Sequence, residues 1–298
     1  MKPAFLFIGP SKSGSSWFFE VLREHPSVFV PHEKGTFFFD RFHHRGSGWY
    51  EGCFADAEAG QVVGEVCHDY LSDPQALARI RAYRKDMRLI CCLRHPYERA
   101  VSSWKFYQRN GLDRPTLAEQ GQEMPSVFEE GYYATHLANV FAAFPRDQVL
   151  IFFFGEIAAY PETVARRLYE FIGVDGSFVP ASLLKRVNPA AAPRSRILAR
   201  FVARMDAYAR QLGLSGVVAR LKRIRWLRSA VRRALYRDSV DAQGWSGHLA
   251  EFPSHVVQRY EQEIGELEQI LGQDLSRWRA PPKAGARVSA APQTTTQA

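Results

Sequence analysis

Residues 4–17 join three features that together restrict what the chain can fold into: an apolar run, a tight turn and the start of a helix. The apolar run, residues 4–8, has the length and composition of a buried strand. The turn that follows is rich in Gly, Pro and Ser, and from Trp17 onward the apolar residues have helical spacing. A buried strand, a glycine-rich turn and a helix N-terminus in this order predict an α/β fold with a phosphate-binding loop.

The turn carries the residue types that an anion-binding loop needs. Gly9 and Gly14 let the backbone turn tightly and approach an anion closely. Ser15 and Ser16 stand where hydroxyl groups and free amide N–H groups at a helix N-terminus would face that anion. Lys12 adds a full positive charge at the centre of the loop. The stretch therefore predicts a site for a phosphate group.

The spacing of this loop differs from that of the nucleotide triphosphate loop, G-x-x-x-x-G-K-[ST]. Gly9 and Gly14 keep the glycine spacing, and Ser16 fits the last position. Ser15, however, stands where the lysine belongs, and Lys12 lies inside the loop instead. This order would place the lysine charge nearer the 5′-phosphate of a shorter nucleotide. A kinase or nucleotidase, one alternative on a similar fold, needs a lysine after the second glycine and a carboxylate for Mg²⁺.

A second apolar run, residues 89–93, predicts another buried strand, and a polar motif follows it directly. Arg94 stands at the end of this run, and Pro96 is suited to open the next helix. Ser102 then lies within the first two turns of that helix. A guanidinium group at a strand end and a hydroxyl group on the following helix suit a second phosphate.

The two stretches resemble the motifs of sulfotransferases that use 3′-phosphoadenosine 5′-phosphosulfate (PAPS). That family typically shows Pro-Lys-Ser-Gly-Thr-Thr-Trp or a close variant in its 5′-phosphosulfate loop. Residues 11–17, Ser-Lys-Ser-Gly-Ser-Ser-Trp, match it with Ser for both Thr and with Ser at the first position. Its 3′-phosphate motif, R-x-P-x-x-R-x-x-S-x-x-x-F, is matched at every fixed position by residues 94–106. The resemblance covers roughly residues 4–279 and implies a single α/β domain. The implied architecture is a P-loop-like sulfotransferase fold, a parallel sheet flanked by helices.

The resemblance implies that PAPS is the sulfuryl donor, that 3′-phosphoadenosine 5′-phosphate (PAP) is the product, and that no metal is required. Lys12 would be catalytic and neutralise charge on the leaving phosphate oxygen. The implied donor-binding residues are Ser11, Lys12, Ser13, Gly14, Ser15, Ser16, Trp17, Arg94, Ser102 and, in a basic loop that closes over the nucleotide in relatives, Arg194. The acceptor would offer a hydroxyl or amine, on a glycan, a glycolipid or another natural-product alcohol.

This chain departs from the family pattern at the position of the general base. Relatives often show Lys-Glu-x-x-Phe-Phe after the second strand, and Gly35 stands here where the acid belongs after Lys34. Glu33 is the nearest carboxylate and is the predicted base. The alternatives are His32, close to it in the chain, and three residues on or just after the predicted strand 62–66: Glu65, His68 and Asp69. A chain without any base would be a non-catalytic PAPS-binding protein.

The formal net charge of +8 is concentrated in one segment of the 298-residue chain. Residues 194–237 contain twelve Arg and one Lys against one acidic residue, a net charge of +12, so the remainder carries −4. The protein as a whole is therefore not a basic nucleic-acid binder, and that alternative would rest on the segment 194–237 alone. Apolar residues alternate with the arginines across 217–235, which favours peripheral association with an anionic membrane. A solvated helix face is the simpler interpretation of the same pattern.

Several further expectations follow from the sequence. No apolar run is long enough to span a bilayer and no secretory signal precedes the first strand, so we expect a cytoplasmic protein, and the Ala- and Arg-rich composition suggests a bacterial source. The four cysteines lack metal-ligand spacing and are expected to be reduced thiols. The polar stretch 112–127 is expected to be mainly loop. Residues 1–279 should form one sulfotransferase domain, with a disordered tail at 280–298.

Overall fold

Five short apolar segments pair into one parallel sheet in the computed structural model, which describes residues 1–184, 191–193, 195, 201, 204–205, 208, 236–238 and 244–280. The strands are β1 (Phe5–Gly9), β2 (Val28–Phe29), β3 (Val62–Val66), β4 (Arg88–Leu93) and β5 (Val149–Phe153), in the order β2-β3-β1-β4-β5. Every neighbouring pair is parallel. A separate antiparallel pair joins β6 (Ala191–Pro193) and β7 (Tyr236–Asp238).

Helices connect the strands of the sheet. They are α1 (Ser15–Glu24), α2 (Gly46–Gly52), α3 (Pro74–Tyr83), α4 (Pro96–Arg109), α5 (Leu117–Glu123), α6 (Ser126–Glu129), α7 (Tyr133–Ala143), α8 (Phe154–Ala159), α9 (Pro161–Ile172) and α10 (Ser254–Leu271). Short 3₁₀ turns lie at His43–Arg45, Arg146–Gln148, Ser246–Glu251 and Ser276–Trp278. The expectation of loop at 112–127 is wrong in part, because α5 and the start of α6 lie there. None of the described helices is long and apolar enough to cross a bilayer.

The sheet separates two apolar cores because successive strand residues point to opposite faces. Along β1, Phe5 and Phe7 pack into the core that α1 and α9 cover. Leu6 and Ile8 pack into the opposite core, which contains residues of α3, α7 and α10. All strand positions of β1 are buried, as expected for a parallel strand covered on both faces. The predicted α/β architecture of a parallel sheet flanked by helices is confirmed.

The order of the strands places the ends of β1 and β4 side by side. After β1 the chain crosses to β2 and β3 on one side of the sheet, and only then returns through α3 to β4 on the other side. Ligands of open parallel sheets bind at such a reversal, beyond the carboxyl ends of the strands. Gly9, at φ 121°, ends β1 so close to the residues after β3 that a Cβ there would lie 2.4 Å from the carbonyl oxygen of His68.

Candidate active site

The loop after β1 contains two residues with positive φ angles, and only one of them is a glycine. Gly14 caps α1 in the left-handed conformation, at φ 90°, which costs a glycine little. Lys12 also adopts a positive φ, 64°, although a lysine pays for this conformation. A Cβ at Gly14 would approach the Cδ1 atom of Ile157 to 2.6 Å. The loop is therefore held in a strained shape, directly before the N-terminus of α1.

Lys12 lies in the most cationic part of the site. Its Nζ atom is 4.5 Å from the centroid of the Phe106 ring. Burial, together with the positive charges of Arg109, Lys34 and Arg94, lowers the pKa of Lys12 to about 7. Cations that depress one another's protonation are costly to bring together, and a bound anion removes that cost. The arrangement is therefore suited to a phosphate or phosphosulfate group.

Lys34 reaches the same loop from the segment after β2. Its Nζ atom donates hydrogen bonds to the Oγ atoms of Ser15 and Ser16, each at 3.1 Å. The ammonium group thus lies at the N-terminus of α1, where the helix dipole already favours negative charge. Lys34 places a second positive charge on the predicted 5′-phosphate site.

Arg94 joins the predicted second phosphate site to the first. It follows β4, and its Nη1 atom donates a 3.1 Å hydrogen bond to the carbonyl oxygen of Lys12. Its Nε atom donates to Glu98 at 3.2 Å, and its guanidinium carbon lies 4.5 Å from the centroid of the Phe154 ring. As the sequence predicts, Pro96 opens the following helix. Ser102, on that helix, lines the same cleft as Arg94.

These groups open into one cleft of about 1510 Å³. The predicted donor-binding residues that line it are Ser11, Lys12, Gly14, Ser15, Ser16, Trp17, Arg94 and Ser102. Ser13 belongs to the same loop, but it is fully buried and does not line the cleft. The structure thus brings together two motifs that are far apart in the chain. Arg194, the segment 217–235 and residues 281–298 of the predicted tail lie outside the described residues.

Four of the five predicted base candidates line the cleft: His32, Glu33, His68 and Asp69. Glu65 does not, because it is fully buried. Its carboxylate accepts hydrogen bonds from the backbone N–H and the hydroxyl of Thr36, at 2.6 and 2.7 Å. The Tyr50 and Tyr70 hydroxyl groups donate to it at 2.8 and 3.3 Å. Glu65 therefore anchors the segment that carries Glu33 and Lys34, away from the cleft.

The candidates that line the cleft differ in their surroundings. His68 lies 3.3 Å from Asp69, Nε2 to Oδ1, and burial lowers the pKa of its imidazole to about 3. Asp69 also forms an ion pair with Arg41, while burial raises the pKa of the Asp69 carboxyl group. Glu33 is half-buried and directly precedes Lys34, whose ammonium group contacts the loop. Among these candidates, Glu33 is therefore the carboxylate that stands next in sequence to a lysine of the predicted phosphate site.

Comparison with known proteins gives the family. Residues 2–188 match the model of the sulfotransferase domain. The chain belongs to the sulfotransferase domain family. The heparan sulfate glucosamine 3-O-sulfotransferase 3B1 of Mus musculus is 31% identical over 185 residues, 58% of this chain and 46% of that protein. The human bifunctional heparan sulfate N-deacetylase/N-sulfotransferase 3 is 28% identical over 195 residues, 58% of this chain and 22% of that protein.

The sulfotransferase domain also has a structural counterpart along nearly its whole length. A sulfotransferase from Alicyclobacillus acidocaldarius superposes with a TM-score of 0.65 at 20% sequence identity, covering 94% of this chain and 100% of that one. The predicted family and fold are thus confirmed. The chain spans less than half the length of the curated relatives named above.

Several charged residues that line the cleft of the sulfotransferase domain were absent from the sequence-based site, among them Lys34, Arg109 and Glu130. Lys34 carried a signal, since it stands at the position of the family lysine beside the predicted base. Arg109 and Glu130 carried none, because they lie outside both motifs. Among the described residues, no three His, Cys, Asp or Glu side chains come together as a possible metal site. All four cysteines are free thiols.

Proposed function

We propose that this sulfotransferase domain transfers the sulfuryl group of PAPS to a hydroxyl or amine acceptor. The observation that carries the proposal is the 3.1 Å hydrogen bond between Arg94 and the Lys12 carbonyl, which joins two cationic sites within one cleft. A nucleotide with separate 3′ and 5′ phosphates can occupy two such sites at once. A nucleoside triphosphate carries its phosphates at one end only and leaves the second site without a partner.

The residues of the loop would act on the 5′ end of the donor. Lys12 would offset negative charge as it develops on the leaving phosphate oxygen, which contributes most when the group is already oriented. Lys34, with the hydroxyl groups of Ser15 and Ser16, would hold the same phosphate. Arg94 and Ser102 would bind the 3′-phosphate. Arg194 is assigned to the nucleotide on the sequence alone.

Glu33 is our proposed general base. The acceptor oxygen or nitrogen forms a bond to sulfur, and the bond between sulfur and the 5′-phosphate oxygen breaks, which releases PAP. The acceptor loses one proton in this step, and the Glu33 carboxylate would accept it. The position of Glu33 on the cleft wall, next to Lys34, supports this role. Asp69 and His68 line the same cleft and are the next residues to test.

A glycan is the acceptor class that we propose. The curated relatives named above act, by their names, on heparan sulfate, at a glucosamine 3-hydroxyl group in one case and at nitrogen in the other. A cleft of about 1510 Å³ has room for part of a sugar chain beside a nucleotide. A glycolipid or another natural-product alcohol would use the same chemistry.

The experiment that tests donor and acceptor begins with calorimetry of the purified protein with PAP and with ATP. We expect PAP to bind and ATP to bind more weakly, and equal affinities would contradict the two-site argument. Incubation with PAPS and separate glycan, glycolipid and alcohol pools, followed by mass spectrometry, should then reveal a sulfated product. Lys12→Ala is the matched control and should suppress the product. PAP binding without any product would favour a non-catalytic PAPS-binding protein.

We further propose, from the sequence alone, that the basic segment 217–235 associates with anionic membranes. Each Lys or Arg near an anionic surface contributes about 1 kcal/mol to binding. Co-sedimentation with anionic and with neutral vesicles, at low and at high salt, tests this. Binding to anionic vesicles that salt abolishes supports the proposal, and no binding at low salt refutes it. Replacing Arg223, Arg225 and Arg228 by Gln should weaken vesicle binding and leave PAP affinity unchanged.

A further inference from the structure

A carboxylate occupies the wall of this cationic cleft, where its negative charge opposes anion binding. The Oε2 atom of Glu130 accepts a hydrogen bond from the Ser11 backbone N–H at 3.2 Å and another from the Ser11 hydroxyl at 2.5 Å. Its side chain is 17% exposed. Ser11 begins the loop that carries Lys12, and both of its donors are engaged by this one oxygen. A ligand phosphate would therefore meet Ser11 with its donors already taken.

Arg99 holds Glu130 from behind. Its side chain has no solvent exposure, and its Nη1 atom donates to the same Oε2 atom at 3.2 Å. The Nη2 atom of Arg99 donates to the backbone carbonyl oxygens of Val127 and Ser126. Both residues belong to α6, the helix that ends directly before Glu130. Charge-assisted hydrogen bonds of this kind have restricted geometry. The carboxylate is therefore fixed in position.

The connection formed by Arg99, Glu130 and Ser11 runs between the two predicted phosphate sites. Arg99 lies on α4, the helix that carries Ser102 and that begins just after Arg94. Ser11 lies 119 residues from Glu130 in the chain, at the start of the 5′-phosphate loop. The helix of one site thus supports the loop of the other through a buried arginine and one carboxylate.

We propose that Glu130 is a positioning residue: held by Arg99, it fixes Ser11 and thereby orients the Lys12 loop toward the 5′-phosphate of the donor. The inference rests on the proposed function. The proposal predicts the direction in which PAP affinity changes when the Glu130 carboxylate is neutralised. Because Glu130 also raises the pKa of Lys12, the comparison is made at a pH low enough to keep Lys12 protonated with or without Glu130. Under that condition, a carboxylate that acted only through its charge would repel an anion, so its neutralisation would strengthen PAP binding. A carboxylate that orders the loop has the opposite effect, because the disordered loop must be organised again when PAP binds.

Calorimetry with two ligands separates these possibilities. PAP carries both phosphates, whereas 3′-AMP lacks the 5′-phosphate that the Lys12 loop would hold. Glu130→Gln should weaken PAP binding by roughly tenfold, the effect of one charge-assisted hydrogen bond, and should leave 3′-AMP affinity unchanged. Glu129→Gln removes the same charge from the exposed neighbouring position and should change neither affinity. Tighter PAP binding by Glu130→Gln, or equal losses for both ligands, would overturn the proposal.

A second variant keeps the test decisive if Glu130→Gln does not fold, since it leaves the buried Arg99 without its ionised partner. Ser11→Ala removes the hydroxyl donor and should also weaken PAP binding without affecting 3′-AMP. Where Glu130→Gln does fold, the two losses should not add in a double-mutant cycle, because both variants break the same contact. Additive losses refute the connection. Wild-type protein that fails to bind PAP refutes the proposed function instead, so the two failures are distinguishable.

Discussion

Arg94 makes contacts from which the effect of its removal on each ligand can be predicted. Its guanidinium group binds the Lys12 carbonyl and Glu98, and it stacks on Phe154. These contacts hold the fork in place before any ligand arrives. We expect the fork to bind the 3′-phosphate of PAP, so Arg94→Ala should remove a charge-assisted interaction from the complex.

The magnitude follows from the nature of that interaction. A hydrogen bond to a charged group contributes about 1.5–3 kcal/mol, and each 1.36 kcal/mol corresponds to about tenfold in affinity. Arg94→Ala should therefore weaken PAP binding by roughly ten- to hundredfold. Adenosine 5′-phosphosulfate lacks the 3′-phosphate. Its affinity should change far less, because it loses only what the hydrogen bond from Arg94 to the Lys12 carbonyl contributes to ordering the loop.

Isothermal calorimetry with both ligands measures this difference directly. Arg94→Lys is the matched control, because it keeps the charge but loses the fork, and its effect on PAP should be intermediate. Thermal melting of each variant establishes that the protein remains folded. Equal losses for PAP and adenosine 5′-phosphosulfate would refute the assignment of Arg94 to the 3′-phosphate.

Four further predictions test the other residues of the site and the loop. If Lys12 acts mainly in the transition state, Lys12→Ala should lower kcat more than it raises the KM for PAPS, as steady-state kinetics will show. Since the pKa of Lys12 is lowered to about 7, its charge is present below that pH and lost above it. PAP affinity should therefore fall as the pH rises through about 7, and Lys12→Arg should flatten this profile. Glu33→Gln should reduce kcat by about 10²–10⁴-fold. Near-full activity of this variant would mean that another residue is the general base. Gly9→Ala should cost about 2 kcal/mol or more in denaturant unfolding, since its Cβ meets the His68 carbonyl at positive φ. Gly155→Ala, with nothing within 4 Å of its Cβ, should be nearly neutral.

Residues close together in the chain account for what could be predicted without coordinates. The strand, turn and helix around Gly14 depend on backbone preferences and on apolar spacing over some fourteen residues. The same holds for Arg94, Pro96 and Ser102, whose relation is set by one strand end and one helix start. Cys91 and Cys92 are neighbours on β4 and pack in the two different cores, because successive residues of a strand point to opposite faces. Such features follow from periodicity alone.

Glu65 shows where prediction from the sequence fails. Glu65 was a base candidate because it lies near the carboxyl end of a strand, where ligands of parallel sheets bind. The two tyrosines and the threonine that enclose it come from other parts of the chain. Whether a strand carboxylate faces the cleft or the interior depends on which helices cover that face, and local spacing does not encode that. Arg109 was missed for the same reason, because its role depends on the charged groups that lie beside it in the folded protein.

The sequence by itself determined two phosphate motifs, each after a buried strand, because strand, turn and helix starts are local properties of the chain. Only the tertiary structure decided that the motifs share a cleft: Arg94 meets Lys12 across 82 residues, and Glu130 meets Ser11 across 119. Those contacts arise from the order of the strands and the packing of α4 and α6. Both are set by the burial of apolar surface throughout the domain, so no single stretch of sequence contains them.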